Sequence, residues 1–457
     1  MNRFLLACIL PLILLSGCEN RREEATVPTQ ETAVPSQETM VREQEATPPI
    51  SSTLAPAAAT SRLFEEAVEA KLVEYPTQAL PVWRQFRQQQ PALLLISNNP
   101  FLSPTPELLR DEINTLLTSR ADTEIIKRTN FSAPDILIQP DMALSAALGA
   151  GLFSSVYWVY PSTLDIEKIG LDKFKEQMLT LGLLSPAEAT SLHLNDGSIQ
   201  GHVRGVPFKA IHPKSLHSIK DPVVVHFDLS FFPSLYKGEI KTPLYSLIKE
   251  TLNMLKAAAP QALAVTVSYS NLTSDLPLAS RFIGPNLVSL MAQPALIDAK
   301  LPPLWELRRK ALYLPNFFQA DEINKLYLKM EQETPNDPSV KYGLYLNSRE
   351  RKAGDQALNY LEKAVALDQT YGLEYLELAS IATEKELPMQ SLRMLRLATE
   401  TFAENGFIAL SLAQELLQNN QEEEARAIIS RLETLPWSTT YYPGMPASLR
   451  QMTLASE

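Results

Sequence analysis

Apolar and small residues recur every 34 positions near the carboxyl end of the chain, and this spacing constrains the fold more than any other feature. Five sets follow the period: Leu344, Leu378, Leu412; Tyr345, Ala379, Ala413; Ala357, Ser391, Ala425; Leu361, Leu395, Ile429; and Ala364, Ala398, Leu432. A period of this length fits two helices joined by a turn. Such a unit buries its apolar face only by stacking on its neighbours. Residues 336–437 are therefore predicted to form a helical repeat array.

A helix–turn–helix period of 34 residues is that of tetratricopeptide repeats, which residues 336–437 resemble. Small side chains fall where helices would cross closely, and large ones fall where they would interlock. An ordinary helical bundle is the alternative, although it does not require a constant spacing. Stacked repeats leave a concave face. The resemblance therefore implies a protein partner that binds at the repeat groove.

The amino terminus has the pattern of a secretory signal. A basic residue, Arg3, precedes a run of about a dozen apolar residues, which is too short to span a bilayer. The closing tetrapeptide Leu15-Ser-Gly-Cys18 resembles the bacterial lipobox. This resemblance implies that residues 1–17 are a signal peptide and that Cys18 receives the lipid, diacylglycerol and palmitate included, as the mature N-terminus. The alternative is a soluble protein with a chance apolar start.

Cysteine usage and charge restrict the partners further. The chain has two cysteines, Cys8 and Cys18, and the first lies inside the signal, so neither a disulfide nor a free thiol remains. A net charge of −11 argues against nucleic acid and against electrostatic adhesion to anionic lipid. Membrane attachment would then come from the acyl chains. The residue after the cysteine is Glu19. By resemblance to a lipoprotein sorting rule, this residue favours attachment to the outer membrane of the cell envelope, with the protein facing the periplasm or the surface.

Composition divides the rest of the chain. Residues 18–60 lack aromatic side chains and are predicted to be a disordered, lipid-anchored tether. In residues 61–300, apolar runs at 92–97, 156–160, 223–227 and 262–268 alternate with helical stretches at 106–119, 171–182 and 243–258. This alternation predicts a three-layer α/β domain with a mostly parallel sheet. Residues 301–335 are expected to be connecting helices, and residues 438–457 a C-terminal tail.

Several segments of the α/β domain resemble the arginase/deacetylase-like (ureohydrolase) family. In chain order, they are residues 74–84, 92–99, 143–151, 156–161, 226–232, 265–270 and 281–284. Active members of that family hold a pair of divalent metals with Asp and His side chains at strand ends. The resemblance therefore implies an arginase-like fold and, if the ligands were present, metal-dependent hydrolysis of a C–N bond.

The ligand positions of this family are largely changed in the chain. Residues 76–77 stand where the first histidine belongs, and residues 97–101 contain neither Asp nor His. In the second motif His226 and Asp228 remain, but the next ligand position is Ser230. One carboxylate cannot hold two hard or borderline cations. We expect a vestigial motif in which His226 and Asp228 share a hydrogen-bond site, with no metal, cofactor or catalytic residue; a single retained metal is the alternative.

The remaining histidines, His193, His202, His212 and His217, lie in a Gly-rich stretch expected to form loops or a hairpin. No pair has the spacing of a zinc protease, and the chain has no phosphate-binding loop. The predicted function is therefore that of a non-catalytic, membrane-anchored lipoprotein that binds a protein partner through its repeats. Two alternatives stay open: a C–N hydrolase with rearranged ligands, and a small-molecule binding protein that uses the vestigial cleft.

Overall fold

A computed structural model describes residues 60–161, 170–216, 219–269 and 276–455. The signal peptide, Cys18, the tether and His217 lie outside these residues. The described chain has two regions: a mixed, mostly parallel sheet with helices in the amino-terminal part, and an all-helical carboxyl-terminal part. In the described part of the chain, no helix combines the length and the apolar character that crossing a membrane requires.

The sheet contains, among the described residues, nine strands: β1 Ser61–Arg62, β2 Ala70–Val73, β3 Ala92–Ile96, β4 Ser155–Val159, β5 His193–Asn195, β6 Ser198–Val203, β7 Val206–Ile211, β8 Val223–Asp228 and β9 Gln261–Ser268. Their order is β1-β9-β8-β3-β4-β7-β6-β5, and β2 also pairs with β9. Strands β2, β9, β8, β3, β4 and β7 run parallel. Strands β1, β6 and β5 are antiparallel to their neighbours, so the prediction of a mostly parallel sheet is confirmed.

The helices of this region are α1 Leu80–Trp83, α2 Arg110–Ser119, α3 Asp122–Arg128, α4 Ala143–Gly149, α5 Leu171–Thr180, α6 Pro186–Ser191, α7 Phe231–Leu235, α8 Leu244–Ala257, α9 Ile283–Ala292 and α10 Ala295–Asp298. Helices α2, α5 and α8 lie within the predicted helical stretches. The stretch at 106–119 opens with a 3₁₀ turn, Glu107–Leu109, before α2 begins.

Helices cover both faces of the sheet, as the continuous apolar strands require. Strand β3 is buried along its whole length. Leu94 and Ile96 belong to a core that includes α8 and α9, whereas Leu93 and Leu95 belong to a second core that includes α2 and α4. Alternate side chains of one strand therefore reach opposite faces, and the domain has three layers.

The Gly-rich stretch forms the antiparallel strands β5, β6 and β7 at one end of the sheet. His193 lies on β5 and His202 on β6, and both side chains are exposed. His212 caps a short 3₁₀ turn, because its Nδ1 accepts a hydrogen bond from the Lys214 amide at 3.1 Å. These three histidines are accounted for by hairpin and turn geometry.

The helical region comprises α11 Pro303–Tyr313, α12 Ala320–Glu333, α13 Pro338–Glu350, α14 Gly354–Leu367, α15 Leu373–Glu384, α16 Pro388–Thr401, α17 Gly406–Gln418, α18 Glu422–Glu433 and α19 Met445–Ala455. The residues of the five 34-residue sets are buried, apart from Leu378. Leu378 is half-buried and packs against the core of the array, so the full burial expected from its period is wrong for this position. The period therefore describes real packing between stacked helix pairs.

The 34-residue register extends to the helix pair α11 and α12. Ala311, Ile323 and Met330 stand 34 positions before Tyr345, Ala357 and Ala364, and all three are buried. At the other end of the array, α19 packs on α18, and its Leu449 is fully buried. The segments around residues 336–437 thus continue the packing of the array in both directions.

Loops that join successive helix pairs lie against the α/β region. Asp368, between α14 and α15, forms an ion pair with Arg281 at 3.2 Å. Asn405, between α16 and α17, donates from Nδ2 to the Ser132 hydroxyl at 3.1 Å. After α18, the Tyr441 hydroxyl donates to a carbonyl of the same 130–142 loop at 3.0 Å. The array is therefore docked along its loop edge.

Candidate functional site

The parallel sheet has a topological switch point between β3 and β8. From β3 the chain continues to β4 on one side, and from β8 it continues to β9 on the other side. In open α/β sheets, ligand sites form at the carboxyl ends of strands at such a point. The side chains at this place are Ser97 after β3, His226 and Asp228 on β8, and Ser268 at the end of β9. This is the edge where the vestigial motif was expected.

Asp228 is the acceptor at the centre of this cluster. Its Oδ1 accepts hydrogen bonds from the amide of Ser230, at 3.0 Å, and from the Ser230 hydroxyl. Its Oδ2 accepts a hydrogen bond from the Ser268 hydroxyl. All three side chains are buried. Both carboxylate oxygens therefore face hydrogen-bond donors rather than an open ligand position.

His226 is buried beside Asp228 and makes two side-chain hydrogen bonds. Its Nε2 lies 3.1 Å from the Ser268 hydroxyl, and its Nδ1 lies 2.9 Å from the Thr266 hydroxyl. The Trp83 ring meets the imidazole edge-on, with ring centroids 5.1 Å apart. Burial lowers the pKa of His226 to about 3. The imidazole is therefore neutral at neutral pH.

The direction of each hydrogen bond follows from the groups at the two ends. The Trp83 indole can only donate, and it does so to the Thr266 hydroxyl at 3.1 Å. The Thr266 hydroxyl lies 2.9 Å from Nδ1 of His226 and 3.3 Å from the Val225 carbonyl; donation along the shorter contact leaves Nε2–H of His226 to donate to Ser268. The Ser268 hydroxyl in turn donates a hydrogen bond to Asp228, which is the one group in this series that can only accept. This assignment gives one tautomer of His226 and leaves its bonds satisfied.

The cluster does not fit the metal pair that the resemblance implies. Asp228 already accepts three hydroxyl and amide protons, Nδ1 of His226 accepts from Thr266, and Nε2 of His226 carries a proton, so the cluster does not supply the ligands that two divalent ions need. The 97–99 segment turns on itself, with Asn99 Oδ1 accepting from the Phe101 amide at 2.8 Å. No group of three or more His, Cys, Asp or Glu side chains that could hold a metal ion occurs within the described ranges. Buried Thr77, at the other changed ligand position, donates its hydroxyl proton to a carbonyl.

The cluster also differs from a nucleophilic triad. In a triad, the imidazole lies between the serine and the carboxylate and takes the serine proton. Here Ser268 lies between His226 and Asp228, and its proton points to the carboxylate. Ser268 has no exposed surface. The arrangement therefore holds three strand and loop ends together and offers no activated nucleophile to a substrate.

Sequence reasoning singled out His226, Asp228 and Ser230 but missed Thr266, Ser268 and Trp83. The parallel register pairs His226 with Thr266 and Asp228 with Ser268. Both pairs are two residues apart, which places all four side chains on one face of the sheet. Two hydroxyls at alternate positions of an otherwise apolar strand were the available signal. Its use requires knowing that β9 lies next to β8.

A second buried polar cluster joins the two regions of the chain. Arg281 donates to both carboxylate oxygens of Glu74, at 3.0 and 2.6 Å, and to Asp368 at 3.2 Å. Its guanidinium carbon lies 3.8 Å from the centre of the Tyr269 ring. Burial alone would lower the pKa of Arg281, but the hydrogen bonds and charges of Glu74 hold it above its usual range. Because Glu74 follows β2 and Tyr269 follows β9, this contact also lies at the carboxyl edge.

Comparison with known proteins finds similarity among solved structures. No family model matches the chain, and no curated protein does. The crystal structure of a thermophilic TPR protein from Thermus thermophilus aligns with 16% sequence identity and a TM-score of 0.21. The alignment covers 39% of this chain and 97% of that chain. Similarity at this level does not establish a shared fold; the 34-residue packing of this chain is the evidence for its helical repeats.

Proposed function

We propose that this chain is a lipid-anchored protein of the bacterial cell envelope, with a non-catalytic, arginase-like α/β domain and helical repeats that bind a protein partner. The main observation in favour of a non-catalytic domain is the set of hydrogen-bond donors around Asp228. Its two oxygens accept three hydrogen bonds inside the protein. The hydrolase alternative needs those oxygens for metal, and the binding of a small molecule in the vestigial cleft needs a route to side chains that are buried.

An exposed, charged surface on α13 and α15 supports partner binding. On α13 and α15, the Tyr345 hydroxyl and Arg349 both donate to Glu374 Oε1, at 2.6 and 2.9 Å. Arg349 and the neighbouring Glu377 remain exposed. Burial, and next the charge of Glu374, raise the pKa of the Glu377 carboxyl. A fixed, charged surface across adjacent helix pairs is a suitable binding site for a polar segment of another protein.

Photo-crosslinking tests the partner-binding part of the proposal. A photoreactive residue at Glu377 in the full-length protein should give a discrete crosslinked product in cells, and Arg349→Glu in the same chain should reduce it. The matched control is the same photoreactive residue at Glu107, which is exposed on the α/β region. Equal products from both positions, or none from Glu377, would contradict binding at this face.

Lipid labelling tests the anchor separately. The proposal rests on the tetrapeptide that ends at Cys18, and no other thiol is available in the mature chain. Cys18→Ala should abolish incorporation of labelled fatty acid and leave an uncleaved or mislocalised precursor. Cys8→Ala is the control and should still be labelled. Labelling of the Cys18→Ala chain would show that the lipid-anchor reading is wrong.

A further inference from the structure

A cavity of about 250 Å³ lies between the α/β region and the helical array. Arg281 and Tyr269 line it from the α/β region, Arg308 lines it from α11, and Asp337 and Asp368 line it from two loops of the array. Ligand sites occur preferentially at such junctions between domains. This cavity is separate from the buried Asp228 cluster, whose residues do not line it.

The two arginines present donors that the protein does not use. Arg308 is 4% exposed, and its Nη2 donates to the Ser339 hydroxyl at 2.8 Å. Its Nε and Nη1 have no acceptor among the residues that the structure describes. Arg281 is 3% exposed, and its Nε is buried without a hydrogen-bond partner in the described part of the chain. A buried donor without an acceptor costs free energy, so Arg281 Nε favours a ligand that supplies an acceptor.

The two aspartates give the same cavity a negative side. Asp337 Oδ1 accepts from the Ser339 amide at 2.8 Å, and Asp368 Oδ1 accepts from the Thr370 amide at 2.9 Å. The other oxygen of each is in direct contact with an arginine that also lines the cavity, at 3.5 Å for Asp337 and 3.2 Å for Asp368. The Ser339 hydroxyl also donates to Asp337 Oδ1, so the room for a further donor is at the outer oxygens, Oδ2 of Asp337 and Oδ2 of Asp368. A simple anion would be repelled here by the carboxylates, and a simple cation by the guanidinium groups.

The remaining walls are aromatic. Tyr269, Phe282, Trp305 and Tyr371 line the cavity. Arg308 stacks over Phe282, with the guanidinium carbon 4.6 Å from the ring centre. Trp305 is itself stacked on Tyr245, with ring centroids 5.6 Å apart, so its position is fixed. Rigid aromatic walls around a few polar groups favour a ligand with an apolar body and charged ends.

We propose that this cavity binds a zwitterion with an apolar side chain, namely an α-amino acid or a dipeptide. The carboxylate of the ligand accepts hydrogen bonds from the free nitrogens of Arg308 and Arg281. Its ammonium group donates to the outer oxygens of Asp337 and Asp368. The side chain packs against the aromatic walls. Acidic and basic side chains in one lining, the unused Nε of Arg281 and the cavity size are the features that select this class; Glu74, which Arg281 also binds, does not line the cavity.

Calorimetry on the unlipidated mature chain tests the proposal with matched ligands. The probes are L-phenylalanine, L-leucine and the dipeptide Leu-Leu. The comparison ligands are 3-phenylpropanoate, which lacks the ammonium group, and phenethylamine, which lacks the carboxylate. At least one zwitterion should bind with one-to-one stoichiometry. If phenylalanine is that ligand, each of its two single-charge analogues should bind at least tenfold more weakly. Binding of 3-phenylpropanoate equal to that of phenylalanine, or no binding of any probe, would overturn the proposal.

Two lysine variants in α11 test whether the ligand binds in this cavity. Arg308→Lys keeps the charge but loses the planar set of donors and should weaken binding at least tenfold. Arg309→Lys is the matched control, because Arg309 binds Glu306 and does not line the cavity. Trp305 fluorescence, identified by comparison with Trp305→Phe, should change on binding. Circular dichroism confirms that each variant is folded, and equal affinities of the two lysine variants would show that the site is elsewhere.

Discussion

Replacing Asp228 by Asn tests whether the buried cluster is a hydrogen-bond network rather than a metal site. The carboxylate accepts from the Ser230 amide at 3.0 Å, from the Ser230 hydroxyl and from the Ser268 hydroxyl. An Asn side chain keeps one oxygen for Ser230, but its Nδ2 is a donor. With His226 in the tautomer that donates from Nε2, the Ser268 proton then loses its acceptor.

The size of the effect follows from this single lost bond. A hydrogen bond to a charged group is worth about 1.5–3 kcal/mol. The loss is partly offset, since a neutral amide is less costly to bury than a carboxylate. We expect Asp228→Asn to lower the free energy of unfolding by about 1–3 kcal/mol. Asp221→Asn is the control, because Asp221 is exposed just before the same strand and should change stability by less than about 0.5 kcal/mol.

Urea denaturation and elemental analysis of the same preparations decide the result. Trp83 belongs to the network, so tryptophan fluorescence reports unfolding where the change is made. Wild-type protein should contain far less than one equivalent of manganese, zinc or iron, and added metal should not raise its melting temperature. Stoichiometric metal that disappears in Asp228→Asn would refute the network reading and favour the hydrolase. Equal stabilities of Asp228→Asn and Asp221→Asn would refute the hydrogen-bond argument.

Three further predictions concern other parts of the fold. Because burial lowers the pKa of His226 from 6.5 to about 3, the unfolded chain binds a proton between these pH values that the native chain does not. His226 should therefore destabilise the protein as pH falls below 6.5, by up to about 1.4 kcal/mol per pH unit, and His226→Gln should flatten the pH dependence of urea denaturation. Asp368→Asn should keep the cap on Thr370 but weaken the bond to Arg281, lowering the unfolding free energy by about 1–2 kcal/mol, with a smaller loss at high salt. Leu361→Ala, at a fully buried position of α14, should cost about 2–5 kcal/mol and raise hydrogen exchange first in residues 336–437; equal early exchange in β3 would show that both regions unfold as one unit.

The elements with a strong periodic signal could be predicted from the sequence. Strands β3, β4, β8 and β9 are continuous apolar runs, because both faces of the sheet are covered. The array shows its register because each stacked pair needs the same side-chain volumes at the same positions. Strand β2 has no such run: it is four residues long and includes an exposed Lys71. Its place is set by pairing with β9, a contact between segments far apart in the chain.

The candidate site was predictable only in part, for a topological reason. His226 and Asp228 stand out because polar residues interrupt an apolar strand. Their partners Thr266 and Ser268 lie on β9, and no local pattern says which strand is adjacent to β8. Ser268 connects the imidazole to the carboxylate, so the prediction of a shared site lacked its central residue. Whether an acidic residue at a strand end binds metal therefore depends on its neighbours across the sheet.

The contact between the two regions connects the proposed small-molecule cavity to the repeat array. Arg281 and Asp368 belong to different regions, and both their ion pair and the cavity depend on the docking of the loop edge. A zwitterion that binds both side chains stabilises the docked state by its own binding free energy, since it cannot make both contacts when the regions separate. The proposed partner-binding face at Arg349 and Glu377 lies on α13 and α15, and α15 begins directly after the loop that contains Asp368. A ligand in the cavity therefore restricts helices that a partner would contact. If the partner binds docked and undocked repeats with different affinity, a ligand that stabilises the docked state must change the affinity for the partner.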